Sequence, residues 1–235
     1  MIKQGKFNLE EEIFLDLSYK LELPAVAKQI RLRSVENSVN AVAADLIAMV
    51  EPVARPKAVY RPLRPKHLDD SGFEVDRTRF SSRVLSKLLA EDSVVFPYIV
   101  TIGPELAALD LPHTDMVGRY RLDAVKSMVL HAAGRAFAEH LQSEYPGHRL
   151  THMNPGEIDD WPLTQQRFLF SLFPGVEEKI GVTLTDGCMI KPAKSRSGIF
   201  FANEDAFETC RLCHQLKCPG RRAAYDASVI ARYTA

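Results

Sequence analysis

Residues 120–142 carry the longest helical pattern in the chain, and this pattern limits the possible folds more than any other feature. Apolar side chains recur there at intervals of three and four, which places them on one face of a helix. They are Leu122, Val125, Val129, Ala132, Ala133, Ala136 and Phe137. Because several of these side chains are small, we expect the helix to pack closely against another element.

The rest of the chain mixes helical and strand patterns. We predict helices over residues 9–23, 34–50, 81–89 and 162–172, and strands over residues 93–103, 180–184, 189–190 and 198–201. Four prolines between residues 52 and 66 exclude a long helix there and indicate an extended connection. Helical patterns dominate the first two thirds of the chain, and no regular alternation of strands and helices is present. We therefore predict an α+β fold. We expect one domain over residues 1–235, with residues 205–226 as a C-terminal cysteine segment.

Charge and hydropathy exclude several classes of partner. Thirty basic and thirty acidic residues cancel, so no overall field favours a nucleic acid or a membrane surface. No stretch approaches the ~20 apolar residues of a membrane span. The first residues, Met1–Lys6, lead into acidic Glu10–Glu12 and not into the apolar core of a signal peptide. We therefore expect a cytoplasmic protein.

Three of the four cysteines lie within nine residues. Cys210, Cys213 and Cys218 have the spacing C-x2-C-x4-C, and Cys188 lies 22 positions upstream of the first. Cysteines stay reduced in the cytoplasm, so a tight group favours a metal site over disulfides. We predict that the triplet holds a [4Fe–4S] cluster, with Cys188 as the fourth ligand.

A zinc site is the alternative for the same cysteines, because four thiolates, or three with His214, also complete a zinc site. Structural zinc sites prefer two paired C-x2-C units, whereas this sequence has one pair and two single cysteines. We favour iron–sulfur over zinc from this pattern together with the family resemblance described below. Two or three cysteines buried only as small side chains form the remaining alternative.

Several motifs occur in an order that resembles one family. The motifs span Val100–Leu106, Leu122–Ser127, Met153–Leu163, Ile180–Asp186 and Met189–Ile199. Together they resemble the reactivation domain of cobalamin-dependent methionine synthase, and in particular its small stand-alone relatives in anaerobic bacteria. The resemblance covers roughly residues 10–226.

The resemblance implies a fold and a task. The family has helices around a twisted antiparallel sheet, binds S-adenosylmethionine and presents it to a corrinoid protein. One electron converts inert Co(II) into Co(I), which the methyl group of the sulfonium then traps. The partner implied is a corrinoid protein or a cobalamin-dependent methyltransferase.

The loop expected to bind the cofactor departs from the family pattern. That pattern is an arginine, two residues, then Pro-Gly-Tyr, whereas this chain has His152, Pro155, Gly156 and Glu157 at the corresponding positions. An arginine pairs with a carboxylate through two hydrogen bonds and is always charged, whereas a histidine is mostly neutral at pH 7. The substitution predicts weak binding of S-adenosylmethionine.

Two surfaces are therefore predicted to contact the corrinoid or a residual cofactor. One is the loop from His152 to Glu157, including Asn154, and the other contains Lys194 and Ser195. The second is equally well explained as a solvated basic loop.

Three functions follow from these patterns. The first is a redox accessory protein whose cluster reduces the Co(II) corrinoid of its partner. The second is a corrinoid-docking or assembly module with a structural zinc. The third is an activator that methylates the corrinoid with S-adenosylmethionine.

Overall fold

A five-stranded antiparallel sheet organises the chain. The computed structural model describes residues 11–30, 39–90, 93–203, 207–218 and 220–234. Within these ranges the strands are β1 Ile13–Asp16, β2 Lys57–Tyr60, β3 Lys66–Asp69, β4 Gly72–Val75, β5 Thr78–Ser81, β6 Val95–Thr101, β7 Leu150–Met153, β8 Thr183–Leu184, β9 Ile190–Lys191 and β10 Ser195–Ala202. The main sheet has the order β1-β2-β6-β10-β7, while β3-β4-β5 and β8-β9 form two smaller sheets. The predicted α+β class is confirmed.

Helices cover the main sheet and fill the connections between strands. They are α1 Leu23–Ile30, α2 Val39–Val50, α3 Arg83–Leu88, α4 Pro104–Ala108, α5 Met116–Glu144, α6 Gln166–Ser171, α7 Val176–Ile180 and α8 Ala227–Thr234. Among the described ranges, no helix is both long enough and apolar enough to cross a membrane.

Helix α5 confirms the longest predicted pattern and extends it to 29 residues. Asp115 caps its start by accepting a hydrogen bond from the backbone N–H of Gly118. The expected apolar face is buried: Val125 and Val129 pack against α1 and α2, while Ala133 and Phe137 pack against the sheet.

Strand β10 divides the molecule into two sides, because successive side chains of a strand point to opposite faces. Phe200 packs against Phe137 of α5, with ring centroids 5.6 Å apart. Ile199 and Phe201 belong to a separate core on the other face. We call these two faces the α5 face and the α6 face, because the hydroxyl of Ser197 donates to Gln166 of α6.

The helix predicted over residues 9–23 is wrong. Residues 13–16 form strand β1, which pairs with β2, and residues 9 and 10 lie outside the described ranges. The apolar spacing was compatible with either element, and pairing with a distant strand decided between them. Pro24 lies in the first turn of α1, where proline is tolerated, and does not end a helix.

Most other predicted elements are confirmed with shifted ends. Helices α2, α3 and α6 and strands β6, β9 and β10 lie where the patterns place them, although residues 34–38 fall outside the described ranges. The strand predicted over 180–184 is shorter, because Ile180 ends α7. The connection over residues 52–66 is extended and contains β2. Strands β3, β4, β5 and β7 were not predicted.

Candidate cofactor-binding cavity

A cavity of about 770 Å³ lies on the α5 face of the main sheet. Its apolar wall comes from helix α5 and strands β6 and β10. Its polar wall comes from the end of β7, the following loop and the C-terminal segment. The lining residues used below are Tyr98, His131, Arg135, His152, Glu157, Arg196, Phe200, Cys210, Cys213, Cys218 and Arg222.

The loop after β7 is a tight turn that presents Glu157 to the cavity. The backbone N–H of Glu157 donates to the carbonyl of Asn154, with Pro155 and Gly156 between them. Gly156 has φ of 86°, the left-handed conformation that the third residue of a type II turn requires. The proline and glycine of the predicted loop thus shape the turn, and neither of them lines the cavity.

A chain of hydrogen bonds holds the carboxylate of Glu157. Asn154 donates to it twice, from Nδ2 (2.7 Å) and from its backbone N–H (3.2 Å). The Oδ1 atom of Asn154 accepts from the hydroxyl of Tyr98 at 2.7 Å. Gly198 leaves room for this chain, since a Cβ atom there would lie 2.1 Å from Oδ1 of Asn154. Burial raises the pKa of Glu157.

His152 is neutral in this environment. Its ring lies against Phe200, with centroids 4.9 Å apart. Burial, followed by the charges of Arg222 and Arg196, lowers its pKa from 6.5 to about 4. At pH 7 this side chain therefore offers no positive charge to an anionic ligand.

Arginines supply the positive charge of the cavity instead. Arg135 comes from α5, Arg196 from β10 and Arg222 from the C-terminal segment. Partial burial and then the charges of Arg196 and Arg135 lower the pKa of His131 nearby. Of these arginines, Arg222 is paired with Glu208 at 3.0 Å. The cavity thus combines an apolar wall with three arginines, one of which is paired with a carboxylate.

The C-terminal segment brings three cysteines to this cavity. Cys210, Cys213 and Cys218 are free thiols that line it. The Sγ atom of Cys210 accepts from the backbone N–H of Arg222 at 3.4 Å. In the parts of the chain that the structure describes, no group of three His, Cys, Asp or Glu side chains is placed to hold a metal ion. Pro219 and residues 204–206 lie outside those parts.

Arg221 holds the cysteine segment in shape. Its Nη1 atom donates to the carbonyls of Cys210 and Ala223, and its Nη2 atom donates to the carbonyls of Cys213 and Gln215, all at 2.8–2.9 Å. A planar guanidinium can satisfy several acceptors at once because its donors diverge. One side chain therefore fixes the backbone beside two of the three thiols.

Cys188 lies elsewhere. It is buried at 2% exposure, and it is not among the described residues that line the cavity. Its Sγ atom accepts from Nε of Arg167 at 3.1 Å. Its carbonyl accepts from Gln166, the residue that also bonds Ser197 on the α6 face.

Comparison with known proteins bears on the fold. No protein-family model matches the chain, and no curated protein matches it. Among solved structures, a crystal structure of the MetH reactivation domain bound to AdoHcy matches with a TM-score of 0.63 at 15% identity. The match covers 96% of this chain and 90% of that chain. The chain has the fold of the MetH reactivation domain.

On this reactivation-domain fold, the predicted site residues divide into three groups. His152, Glu157, Cys210, Cys213 and Cys218 line one cavity. Asn154, Pro155 and Gly156 support it from the turn. Lys194, Ser195 and Cys188 are not among the described residues that line it. Lys194 pairs with Asp123 at 2.9 Å, and Ser195 donates to Thr101.

Sequence reasoning missed Arg135, Arg222 and Tyr98 as residues of this cavity. Arg135 is exposed on α5, and no motif marks it. Arg196 and Phe200 are four positions apart on a strand, so alternation could have placed them on one face. Tyr98 lies in strand β6, in which every residue is buried. The pattern of that strand therefore does not distinguish its two faces, and its pairing with β10 is needed to show which face Tyr98 occupies.

Proposed function

We propose that the chain is a redox accessory protein that reactivates a corrinoid-dependent methyltransferase or corrinoid protein. An iron–sulfur cluster held by the C-terminal cysteines passes one electron to Co(II), which becomes Co(I). An external one-electron donor then reduces the cluster again. The observation that carries this proposal is that one cavity is lined both by three cysteines and by His152 and Glu157.

Three cysteines of the cavity are the residue type that holds iron–sulfur clusters, although their thiols are not placed around a common metal position in the part of the chain that the structure describes. Such clusters are held by cysteine thiolates. Cys210, Cys213 and Cys218 are all free; the first two are half-buried and Cys218 is exposed. Thiolates and cluster together carry negative charge, which the guanidinium groups of Arg196 and Arg222 offset. Positive charge near a cluster also raises its reduction potential.

The corrinoid partner is supported by the fold together with the order of the motifs. A fold by itself hosts many functions. Here the MetH-like fold coincides with motifs that resemble the same family and with a cavity at its cofactor loop. We therefore propose that the partner presents its corrinoid to this cavity.

An activator that uses S-adenosylmethionine is the second candidate. The structure that favours it is the MetH reactivation domain, which binds AdoHcy. In this chain Arg196 or Arg222 would have to pair with the methionyl carboxylate, because His152 is neutral. The two candidates differ in the source of the methyl group. Only the second candidate requires this chain to bind S-adenosylmethionine and deliver its methyl group to the corrinoid.

A single-turnover reaction tests the proposal. The protein is purified anaerobically, reduced with dithionite, freed of dithionite by gel filtration, and mixed with cob(II)alamin and iodomethane. Each reduced cluster gives one electron to Co(II), and the resulting Co(I) displaces iodide from iodomethane to form methylcobalamin. We expect one methylcobalamin per cluster, and none with Cys213→Ser.

Two results separate the alternatives. Methylcobalamin at the level of the protein-free control would contradict electron transfer to a corrinoid. Replacing iodomethane by S-adenosylmethionine tests the second candidate, which requires methylcobalamin and S-adenosylhomocysteine in equal amounts. A colourless protein that contains zinc would favour the docking module instead.

A further inference from the structure

We infer that the cavity binds a nucleotide-like phosphate ester, whose phosphate is held by His131, Arg135 and Arg196 and whose ring lies against the apolar wall. No cysteine takes part in this site, so the inference goes beyond the proposed electron transfer. Two sources have this chemistry. One is a free nucleotide, and the other is the nucleotide loop of a corrinoid, in which a phosphodiester joins a ribose and an aromatic base to the corrin side chain.

Helix α5 and strand β10 bring the three basic residues to one part of the cavity. His131 and Arg135 are four positions apart on α5, so they lie on the same face of the helix. Arg196 comes from β10, and a Cβ atom built on Gly134 of α5 would lie 3.9 Å from its Nη1 atom. The guanidinium of Arg196 therefore lies beside the turn of α5 that carries Arg135. All three basic side chains line the cavity.

Two of these side chains are available to an anion. Within the described ranges, the guanidinium groups of Arg135 and Arg196 form no hydrogen bond and no ion pair. Lys194 lies close by but is paired with Asp123 at 2.9 Å. Partial burial lowers the pKa of His131, and the positive charges of Arg196, Arg135 and Lys194 lower it further. The electrostatic field at this ring is thus positive and would favour a bound anion.

A phosphate group suits this arrangement better than a carboxylate does. Each guanidinium has five N–H donors in a planar fork, and arginine is the residue that binds phosphate through paired hydrogen bonds. The oxygens of a phosphate diverge, so different oxygens can accept from Arg135, Arg196 and a ring N–H of His131. A carboxylate has only two oxygens, and one guanidinium satisfies both.

The other lining residues suit a planar ring and a sugar. The volume of about 770 Å³ lies within the range of roughly 300–1,000 Å³ that is usual for small-molecule sites. Phe137 and Phe200 supply aromatic surface, and the ring of His152 lies 4.9 Å from that of Phe200. Glu157 lines the same cavity and can accept hydrogen bonds from hydroxyl or ring N–H groups. Its carboxylate also disfavours a second anionic group, which points to a single phosphate.

Two matched pairs of ligands test the inference on the wild-type protein by calorimetric titration. Adenosine monophosphate and adenosine differ only in the phosphate, and cyanocobalamin carries the nucleotide loop that dicyanocobinamide lacks. We expect the phosphate-bearing member of at least one pair to bind at least tenfold more tightly, because its charge-assisted hydrogen bonds are lost in the other member. The pair that shows the difference identifies the source. Equal affinities within both pairs, or no binding at all, would overturn the inference. Neither result would affect the proposed electron transfer, because the titrations use no reductant.

The double variant Arg135→Gln, Arg196→Gln tests the residues. We expect it to bind the phosphate-bearing ligand at least tenfold more weakly than wild type. The control is Arg64→Gln, Arg77→Gln, which removes the same charge from two exposed side chains that do not line the cavity. Circular dichroism shows whether both variants are folded, and the ligand pairs on wild type decide the matter if one is not. Equal affinities of the two folded double variants would overturn the inference.

Proton magnetic resonance of His131 tests where the phosphate lies. A neighbouring anion raises the pKa of a histidine because it favours the charged ring. We therefore expect the phosphate-bearing ligand at saturation to raise the pKa of His131, with His131→Gln used to assign the resonance. The matching ligand without phosphate should leave this pKa unchanged. The same His131 titration with and without bound phosphate ester would overturn the inference.

Discussion

The guanidinium of Arg221 donates to the carbonyl of Cys213 at 2.8 Å, and its other N–H groups reach the carbonyls of three further residues. The cysteine segment is therefore shaped by one side chain that lies between its last cysteine and helix α8. A lysine has a single point charge and cannot reach four carbonyls together.

Arg221→Lys should destabilise the segment and reduce cluster incorporation. Carbonyls left without a donor cost about 1–3 kcal/mol when they are buried. Urea unfolding measures the stability, and iron analysis after anaerobic reconstitution measures the incorporation. Arg211→Lys is the matched control, because Arg211 is exposed in the same segment. Equal iron content in the two variants would contradict a shaping role for Arg221.

Tyr98→Phe should weaken the support of Glu157. The variant removes the donor that Oδ1 of Asn154 accepts from. An acceptor left buried without a partner costs about 1–3 kcal/mol. Tyr120→Phe is the control, because Tyr120 is 62% exposed, and its unfolding midpoint in urea should match wild type. Equal midpoints for both variants would count against the hydrogen-bond chain.

Two glycine-to-alanine changes should have opposite effects. At Gly198 a Cβ atom would lie 2.5 Å from the carbonyl oxygen of Met153 and closer still to Asn154, so we expect a loss of about 3 kcal/mol. At Gly134 the nearest heavy atom is Arg196 Nη1 at 3.9 Å, so alanine should stabilise α5 by up to about 1 kcal/mol. Thermal unfolding of both variants checks whether Gly198→Ala lowers the melting temperature and Gly134→Ala raises it. A destabilised Gly134→Ala protein would show that α5 approaches the sheet more closely than described.

Stability should fall as the pH falls from about 6.5 towards 4, in part because of His152. Its pKa is 6.5 when unfolded and about 4 when folded, so in this window the unfolded chain binds the additional proton. The stability that neutral His152 contributes is fully present above its unfolded pKa of 6.5. It is lost as the pH falls towards the folded pKa of about 4. It amounts to roughly 3 kcal/mol.

Urea unfolding of wild type and His152→Gln at pH 7 and pH 5 isolates this contribution. The variant should lose less stability than wild type between the two values. Glu157 acts in the opposite direction, because its raised pKa disfavours the folded state as the pH rises past its ordinary value. A variant with the same pH dependence as wild type would mean that His152 is not buried as described.

Local patterns predicted the parts of the fold that depend on local physics. Helix α5 has a long unbroken period, and β6 is a run of β-branched and aromatic residues, so both could be read directly. Strand β1 could not, because its pairing with β2 is a contact across more than 40 positions. Strands β3 to β5 each have four residues, several of them charged, and turns fix their register.

The candidate site divides in the same way. The spacing of Cys210, Cys213 and Cys218 predicted a shared location because those residues are close in sequence. The position of Cys188 depends on which face of β10 its loop packs against. The number of residues between two cysteines does not indicate the face of a sheet on which either one lies. The proline and glycine after β7 predicted a turn there. The hydrogen bonds from Tyr98 through Asn154 to Glu157 could not be predicted, because they depend on the register of two strands.

Anaerobic quantification of iron, sulfide and zinc, with an absorption spectrum before and after dithionite, tests the central claim most directly. The account predicts a brown protein with iron and acid-labile sulfide in equal amounts, little zinc, and a broad visible absorption that bleaches on reduction. A colourless protein with stoichiometric zinc and no sulfide would contradict it.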